Sequence, residues 1–272
     1  MPEIAEVETV RKTLKEKILA KKIISVNIVY PRIVESPKDD FVNILVGRCF
    51  QDIKRIGKWL LFDLGDYYLL SHLRMEGKFF IKDSCEKIVK HEHVIINFAD
   101  NTSLRYHDTR KFGRMNLVKK EDLDQVPAIK KQGIEPLDDK LTKEYLFNRF
   151  KKKNIPMKTL LLDQTIISGL GNIYANEVLF AAKVNPLKKG SDISLKECEN
   201  IVLSCNSIIK KAIEEGGTTI KSYTSSLGVT GRFQQYLMVH KRENEACQFC
   251  GALIENIKVG GRSTYYCPNC QK

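Results

Sequence analysis

The start of the chain holds residue types that can support amine chemistry. Because Pro2 follows the initiator methionine, we expect removal of Met1 to leave a secondary amine at the N-terminus. An α-amino group has a lower pKa than a lysine side chain, so more of it is neutral and nucleophilic at cellular pH. Its attack on a sugar C1′ would give a cationic iminium, which is an electron sink for eliminations. Glu3 and Glu6 lie in the first helical turn, where they could serve this site or act only as charges that suit the helix dipole.

A second chemical signature lies in the last 26 residues, which hold two CxxC pairs. The four cysteines are Cys247, Cys250, Cys267 and Cys270. Two such pairs can surround one tetrahedral ion, and four thiolates leave no open coordination position, so we predict one structural zinc ion rather than a redox dithiol. Gly260-Gly261 predicts a β-hairpin turn between the pairs, in a module whose folding depends on the metal.

Two further positions have residue types that suit phosphate binding. The glycines of Ser168–Asn172 predict a tight turn between two helices, with backbone N–H groups exposed at the start of the second helix. Asn172 could cap this helix or donate to a phosphate. Arg262 follows the predicted hairpin turn, where it is either a contact group or an ordinary exposed arginine.

The composition favours a nucleic-acid partner. The 272 residues include 45 Lys and Arg against 33 Asp and Glu, which gives a formal charge of +12 and a pI near 9.2. Such an excess attracts nucleic acid or an anionic membrane, or it only aids solubility. Apolar runs such as residues 59–62 are too short to span a bilayer, and the first residues lack the apolar segment of a signal peptide. We therefore expect a cytoplasmic protein that binds nucleic acid.

The elements that position these residues change in type along the chain. Residues 3–19 have helical spacing of apolar side chains, whereas residues 23–118 contain short β-branched and aromatic runs typical of a sandwich or barrel. Gly65-Asp66 and Asp100-Asn101 predict hairpin turns. The predicted strand runs are IISVNIVY, WLLFDL, YYLLSHL, KFFIK, HVIINF and SLRYHD.

After a polar segment at residues 119–140 the periodicity becomes helical. Thr142 can cap a helix that reaches Lys152, Gly216-Gly217 ends the last helix, and residues 218–235 are predicted to form a mobile loop. We predict three domains, residues 1–133, 134–235 and 236–272. The other predicted helices cover residues 157–166, 172–183 and 194–215.

Together these features resemble the bacterial formamidopyrimidine-DNA glycosylase family, whose members are 8-oxoguanine DNA glycosylases with AP lyase activity. The resemblance implies an α+β fold, with an N-terminal helix and antiparallel β-sandwich joined to a helix–two-turn–helix domain that has a β-hairpin zinc ribbon, and with DNA across the cleft. The matching stretches run the length of the chain in the family's order. They are MPEIAEVETVRK, RIGKWLLFDL, SHLRMEGKF, KHEHV, DTRKFG, LLDQTIISGLGNIYANEVLFAAKVNP, EEGGTTI and GGRSTYYCPNCQK.

The resemblance also implies chemical roles for particular residues. Pro2 would be the Schiff-base nucleophile, Glu3 the general acid near the sugar, and Glu6 a support for the lesion pocket. Lys58 would donate the proton in β-elimination and meet phosphate, and Arg262 would act in δ-elimination or hold the flanking phosphates.

Seven other positions match residues that contact DNA in the family. Three of them would fill the gap left by an extruded base, which apolar and planar groups suit. These three are Met75, Arg110 and Phe112, and the remaining contacts are His72, His91, Lys153 and Asn172.

The implied function is removal of oxidised purines, namely 8-oxoguanine and formamidopyrimidines, from double-stranded DNA, followed by strand cutting through β,δ-elimination. We expect a monomer, associated with the nucleoid through DNA, that needs neither a nucleotide cofactor nor a membrane. The loop at 218–235 would close over the extruded base.

Two departures from the family pattern leave the reactive groups intact. Ala5 stands where the family motif MPELPEVE has proline, and Thr109 and Lys111 replace residues common in the family.

Two alternatives remain. The endonuclease VIII branch has the same fold and amine chemistry but acts on oxidised pyrimidines, and the EVETV stretch argues against it. The other is a catalytically idle DNA-binding module, which an intact Pro2, Glu3 and Lys58 disfavour.

Overall fold

The computed structural model describes residues 1–218 and 231–272, in two compact units. The first unit contains residues 1–130 and 216–232, and the second contains residues 131–215 and 233–272. The helices are α1 (Ile4–Ile18), α2 (Lys38–Leu45), α3 (Pro127–Lys130), α4 (Lys143–Phe150), α5 (Met157–Leu162), α6 (Asn172–Ala181) and α7 (Leu195–Glu214). The strands are β1 (Ile23–Ile28), β2 (Asp52–Ile56), β3 (Trp59–Asp63), β4 (Tyr67–His72), β5 (Lys78–Asp83), β6 (Glu92–Phe98), β7 (Thr102–His107), β8 (Arg114–Lys119), β9 (Glu255–Val259) and β10 (Arg262–Tyr266).

The first unit is an antiparallel β-sandwich with α1 packed on its core. One sheet has the strand order β1-β6-β7-β5 and the other has the order β2-β3-β4-β8. Apolar side chains of both sheets form one core with the buried face of α1, which consists of Val7, Val10, Leu14 and Ile18. The predicted α+β class and sandwich are confirmed, and both predicted hairpin turns join paired strands.

Strand β3 is buried on both faces, which explains its continuous apolar sequence. Leu60 and Phe62 lie in the main core, whereas Trp59 and Leu61 pack with Ile129 of α3 in a smaller cluster. Because β3 begins directly after Lys58, this double burial fixes the strand that follows one of the predicted catalytic residues.

Strands β2 and β8 and helices α2 and α3 of the first unit were missing from the sequence-based prediction. Strands β2 and β8 have charged or amide side chains at several positions, so their apolar alternation is weak. Helix α2 is only eight residues long and buries only Phe41 and Leu45. Their positions depend on pairing and packing partners that are distant in the sequence.

The second unit is helical, and its helices begin close to the predicted positions. Thr142 caps α4, since its side chain accepts a hydrogen bond from the N–H of Tyr145 at 3.1 Å. Helix α5 ends at Leu162 rather than at residue 166 because the Asp163 side chain accepts from the Thr165 N–H and forms a turn. Helices α4 and α6 each end two residues before their predicted ends.

The C-terminal segment at residues 236–272, called the tail below, contains the predicted hairpin of β9 and β10. Both turn residues, Gly260 and Gly261, have positive φ. Phe180 of α6 packs with Val239, Ile254 and two cysteines in a small cluster beside this hairpin. The predicted loop at 218–235 lies largely outside the described residues, while Phe233–Tyr236 form a 3₁₀ turn. The division into three domains stays a prediction. Within the described ranges, no helix is long and apolar enough to cross a membrane.

The capping of α7 generates a stability prediction. Ser194 accepts from the N–H of Glu197, whose carboxylate accepts from the Ser194 N–H at 2.8 Å. Ser194→Ala should lower the free energy of unfolding by about 1 kcal/mol because this cap is lost. Urea denaturation followed by circular dichroism measures the change.

The control is Ser207→Ala, the same substitution at an exposed interior position of α7. It should raise the free energy of unfolding by roughly 0.5 kcal/mol because alanine has the higher helix propensity. Changes of the same sign and size in both variants would contradict the capping role of Ser194.

Candidate active site and zinc centre

The N-terminal amine lies in a partly buried and strongly charged environment. Pro2 and Glu3 are buried directly before α1. Burial lowers the pKa of the N-terminal amine, here on Met1, and the positive charge of Lys58 lowers it too. The carboxylates of Glu3, Glu6 and Glu76 act in the opposite direction without reversing the shift. The structure therefore brings Glu3 and Lys58 within electrostatic reach of the Met1 amine, next to Pro2, and burial favours the neutral form of that amine.

Glu6 connects the start of the chain to the beginning of the loop predicted at 218–235. One carboxylate oxygen accepts from the Glu3 N–H at 2.8 Å, and the other accepts from the N–H and hydroxyl of Thr218 at 2.7 and 3.0 Å. Gly217 has φ +79°, and a Cβ there would lie 2.7 Å from Glu6 Oε1. A glycine is therefore needed where the chain passes Glu6.

His72 lies beside Lys58 as a neutral hydrogen-bond donor. It pairs with Trp59 across β3 and β4, and the two rings make an edge contact at 4.8 Å. Burial, together with the charges of Arg74 and Lys58, lowers the pKa of His72 to about 3. Its Nδ1 accepts from the Arg74 N–H at 2.9 Å, so the neutral ring has its hydrogen on Nε2.

The loop with Arg110 and Phe112 is organised by a buried carboxylate that sequence reasoning missed. Asp108 is fully buried and accepts from the N–H groups of Arg110, Phe112 and Gly113 at 2.8–3.0 Å. The exposed Phe112 ring lies 4.8 Å from the Arg110 guanidinium. An aspartate at a strand end before a turn is a sequence signal for such bonding.

His91 ends a loop that is held by a buried arginine, also missed from the sequence. Its φ is +73°, and its ring lies 5.7 Å from that of His107. Arg105 donates to the carbonyls of Asp83 and Glu86 at 2.8 Å and to the Glu92 carboxylate at 3.0 Å. Nothing in the sequence pairs Arg105 with this loop, because its partners in the loop lie 13 to 22 residues away.

Met75 is half-buried in the turn between β4 and β5, so the first unit also holds this predicted gap-filling side chain.

In the second unit the structure joins Asn172 to the zinc hairpin. Asn172 Nδ2 donates to the carbonyl of Ser263 at 2.9 Å, next to the exposed Arg262. The prediction that Asn172 could cap α6 is wrong, since the N-cap is Gly171, whose extended conformation leaves Asn172 as the first helical residue. Lys153 is exposed in the turn after α4, and no side-chain bond among the described residues joins it to Asn172.

A buried polar chain, not predicted from the sequence, supports the turn before α6. The fully buried Lys158 ammonium donates to the Asn172 carbonyl at 3.0 Å and to Asn176 Oδ1. The amide nitrogen of Asn176 therefore faces His240 Nδ1, at 2.8 Å. Burial lowers the pKa of His240 to about 3, so this ring also stays neutral, with its hydrogen on Nε2.

Glu177 fixes the segment that leads into the zinc module. Its buried carboxylate accepts from the N–H groups of residues 238–240 at 2.8–3.1 Å. Burial raises the pKa of Glu177, although these three hydrogen bonds oppose the shift. One carboxylate thus joins α6 to the start of the tail.

The four cysteines of the tail form a structural zinc site. Their sulfur atoms all lie within 4.8 Å of one another, with Cys247–Cys270 at 3.9 Å and Cys250–Cys267 at 3.4 Å. Tetrahedral Zn–S bonds of about 2.3 Å require sulfur separations of about 3.8 Å, so the donor set fits one zinc ion.

The fold and site define a zinc-binding α+β protein with an amine-centred site at its N-terminus. Family models match over most of the chain: the formamidopyrimidine-DNA glycosylase N-terminal domain at residues 1–115, the H2TH domain of the same family at 132–224, and a zinc finger found in FPG and IleRS at 244–272. The chain belongs to the formamidopyrimidine-DNA glycosylase family, which confirms the resemblance seen in the sequence.

Individual relatives match over their full length. A formamidopyrimidine-DNA glycosylase of Listeria monocytogenes is 45% identical, with 100% of both chains covered. A mutant of the Lactococcus lactis FPG, solved with Fapy-dG-containing DNA, is 39% identical, with a TM-score of 0.95 and 100% of both chains covered. The Lactococcus lactis Fpg in complex with abasic-site DNA has a TM-score of 0.94 at 39% identity, with 99% of both chains covered.

The zinc site generates a second prediction. Cys250→Ser should reduce the bound zinc from about one ion per chain to almost none, because three thiolates complete no closed structural site. The tail should unfold at the same time, since metal binding supplies its folding energy. Elemental analysis and limited proteolysis measure the two effects.

Cys85→Ser is the matched control, because Cys85 is also exposed but lies in the first unit, outside the four-cysteine cluster. It should leave zinc content and tail proteolysis unchanged. Equal zinc loss from both variants, or full zinc content in Cys250→Ser, would refute the assignment.

Proposed function

We propose that this chain excises oxidised purines, namely 8-oxoguanine and formamidopyrimidines, from double-stranded DNA and then cuts the strand as an AP lyase. The observation that carries the proposal is the buried start of the chain, where Pro2 and Glu3 precede α1 and where burial, with the charge of Lys58, lowers the pKa of the Met1 amine. The Lactococcus lactis structures are complexes with DNA that contains Fapy-dG or an abasic site, and Fapy-dG is a member of the proposed substrate class.

The proposed reaction begins with the Pro2 nitrogen after removal of Met1. Its lone pair forms a bond to C1′ as the bond from C1′ to the base breaks, and the base leaves with the proton released by the amine. The C1′–O4′ bond then breaks as Glu3 supplies a proton to O4′, which opens the sugar ring and leaves an iminium. The resulting iminium makes the 2′ hydrogen acidic, so its loss expels the 3′ phosphate, and a second elimination expels the 5′ phosphate. In this scheme Lys58 donates the proton in β-elimination, Arg262 acts in the second elimination, and Glu6 supports the lesion pocket.

The DNA contacts are proposed from residue type and exposure. His72 and Asn172 suit phosphate binding because each has an N–H donor for an anionic oxygen, and the exposed Arg262 and Lys153 add positive charge. His91, in the loop held by Arg105, is proposed as a further DNA contact. Met75, Arg110 and Phe112 are proposed to fill the gap in the duplex, for which the exposed Phe112 ring and its guanidinium neighbour are suited.

The remaining features of the proposal follow from the resemblance and the charge. The protein acts in the cytoplasm as a monomer, on DNA of the nucleoid, without a nucleotide cofactor. Three functional domains are proposed, at residues 1–133, 134–235 and 236–272. The loop at 218–235 is proposed to close on the lesion, and most of it lies outside the described residues.

Borohydride trapping tests this proposal. The wild-type enzyme should give a covalent adduct with a duplex that contains 8-oxoguanine opposite cytosine. Pro2→Gly should reduce adduct formation by about 10-fold or more, because a flexible primary amine replaces the fixed secondary one. Gel electrophoresis of the reduced complex measures the yield.

The position of an affinity tag provides the matched control. A permanent N-terminal tag should abolish trapping, whereas the same tag at the C-terminus should preserve it. Full trapping with a blocked N-terminus would overturn the mechanism, and faster excision of thymine glycol than of 8-oxoguanine would overturn the purine assignment.

A further inference from the structure

The turn that carries Lys58 is held by an arginine whose role nothing above explains. Ile56 pairs with Trp59, so Gly57 and Lys58 form a two-residue hairpin turn between β2 and β3. Gly57 has φ +57° at the first turn position, as a type II′ turn requires. The central peptide of this turn joins Gly57 to Lys58, and Arg55 Nη1 donates to its carbonyl oxygen at 2.9 Å. This bond fixes the peptide plane from which the Lys58 side chain extends.

The same guanidinium also reaches the first helix. Arg55 Nε donates to Glu8 Oε2 at 3.0 Å, and Glu8 lies in α1, which starts immediately after Glu3. The side chains of Arg55 and Glu8 are only 13% and 12% exposed, so water screens this ion pair less than a surface pair. Burial acts to raise the pKa of Glu8, but the hydrogen bonds and charges of Arg11 and Arg55 hold it below its ordinary value. Glu8 is therefore ionised at neutral pH and keeps its attraction for Arg55.

A second arginine binds the same carboxylate and donates to a different backbone carbonyl. Arg11 donates to Glu8 at 2.7 and 3.0 Å, and its remaining nitrogen donates to the carbonyl of Ile53 within β2, at 3.1 Å. Arg11 thus secures α1 to the strand, whereas Arg55 connects α1 to the turn. The two residues share a charge and a partner and differ in the backbone carbonyl that each one holds.

We propose that Arg55 is a positioning residue that holds the Lys58 ammonium in place relative to the N-terminal amine, through Gly57 on one side and Glu8 on the other. This inference rests on the proposed function, because Lys58 is the residue through which Arg55 acts. The chain start and the lysine turn are distant in sequence, and the Glu8–Arg55 pair joins them across 47 residues. Loss of the link would leave the turn free to move the ammonium without removing it.

The test is single-turnover strand cleavage at a preformed abasic site, which isolates the elimination steps. Arg55→Met should slow cleavage at least 10-fold, while the Kd for a duplex with an uncleavable abasic analogue changes by less than threefold. Arg11→Met is the matched control, since it removes the same charge and the same partner, and it should stay within threefold of the wild-type rate. Thermal unfolding identifies any variant that fails to fold.

A double-mutant cycle separates positioning from a general structural role. If Arg55 acts through Lys58, the double variant Arg55→Met/Lys58→Met should cleave within twofold of Lys58→Met alone. If Arg55→Met fails to fold, Arg55→Lys takes its place in the cleavage, binding and double-mutant measurements. It should also slow cleavage at least 10-fold, because a single ammonium lacks the planar fork that reaches both partners.

The outcomes distinguish this inference from the proposed function. If Lys58→Met cleaves at the wild-type rate, the proposed role of Lys58 fails. If Lys58→Met is slow but Arg55→Met equals Arg11→Met, the positioning role is wrong while the proposed function stands. The positioning role is also wrong if the double variant Arg55→Met/Lys58→Met loses cleavage rate by the product of the two single-variant losses.

Discussion

Burial of the first helix against the sandwich core is the constraint on which the candidate active site depends. Val7, Val10, Leu14 and Ile18 are at most 3% exposed. Each fully buried aliphatic side chain contributes about 1.5–3 kcal/mol, whereas an exposed ion pair contributes about 0–1 kcal/mol. Apolar burial therefore fixes where α1 lies, and the chain start that precedes it has little freedom to move. Hydrogen bonds of charged side chains at the edges of α1 then hold the Gly57-Lys58 turn, through Glu8 and Arg55, and the chain at Thr218, through Glu6.

Burial of the start of the chain also lowers the pKa of the N-terminal amine. A charged ammonium loses hydration when it is partly buried, and a neighbouring lysine adds repulsion, so both effects favour the neutral amine. Three carboxylates oppose the shift without reversing it. One of these carboxylates, Glu6, is held in place by the bonds that it accepts from Glu3 and Thr218. The N-terminal amine, Glu3 and Lys58 thus interact electrostatically.

The sequence predicted many of the features that depend on local spacing, and most of its omissions lie where distant residues cooperate. The four cysteines, the Gly260-Gly261 turn and the cap at Thr142 each depend on neighbours along the chain, and each was found. The ion pairs of Arg55 and Arg105 were not predicted, because an arginine has many possible carboxylate partners until the sheets pair. Lys158 was missed for a related reason, since a lysine is expected at the surface unless buried acceptors surround it. The roles of the predicted site residues rest on the resemblance, because a role depends on DNA that the sequence does not specify.

In the proposed mechanism the sugar becomes bonded to the amine nitrogen at the start of the chain after Met1 has been removed. Peptide mapping by tandem mass spectrometry of the borohydride-reduced enzyme–DNA complex tests it most directly. We expect the sugar remnant on the nitrogen of Pro2, in an N-terminal peptide that lacks Met1. A remnant on the side chain of Lys58, or on a peptide that still begins with Met1, would contradict the account.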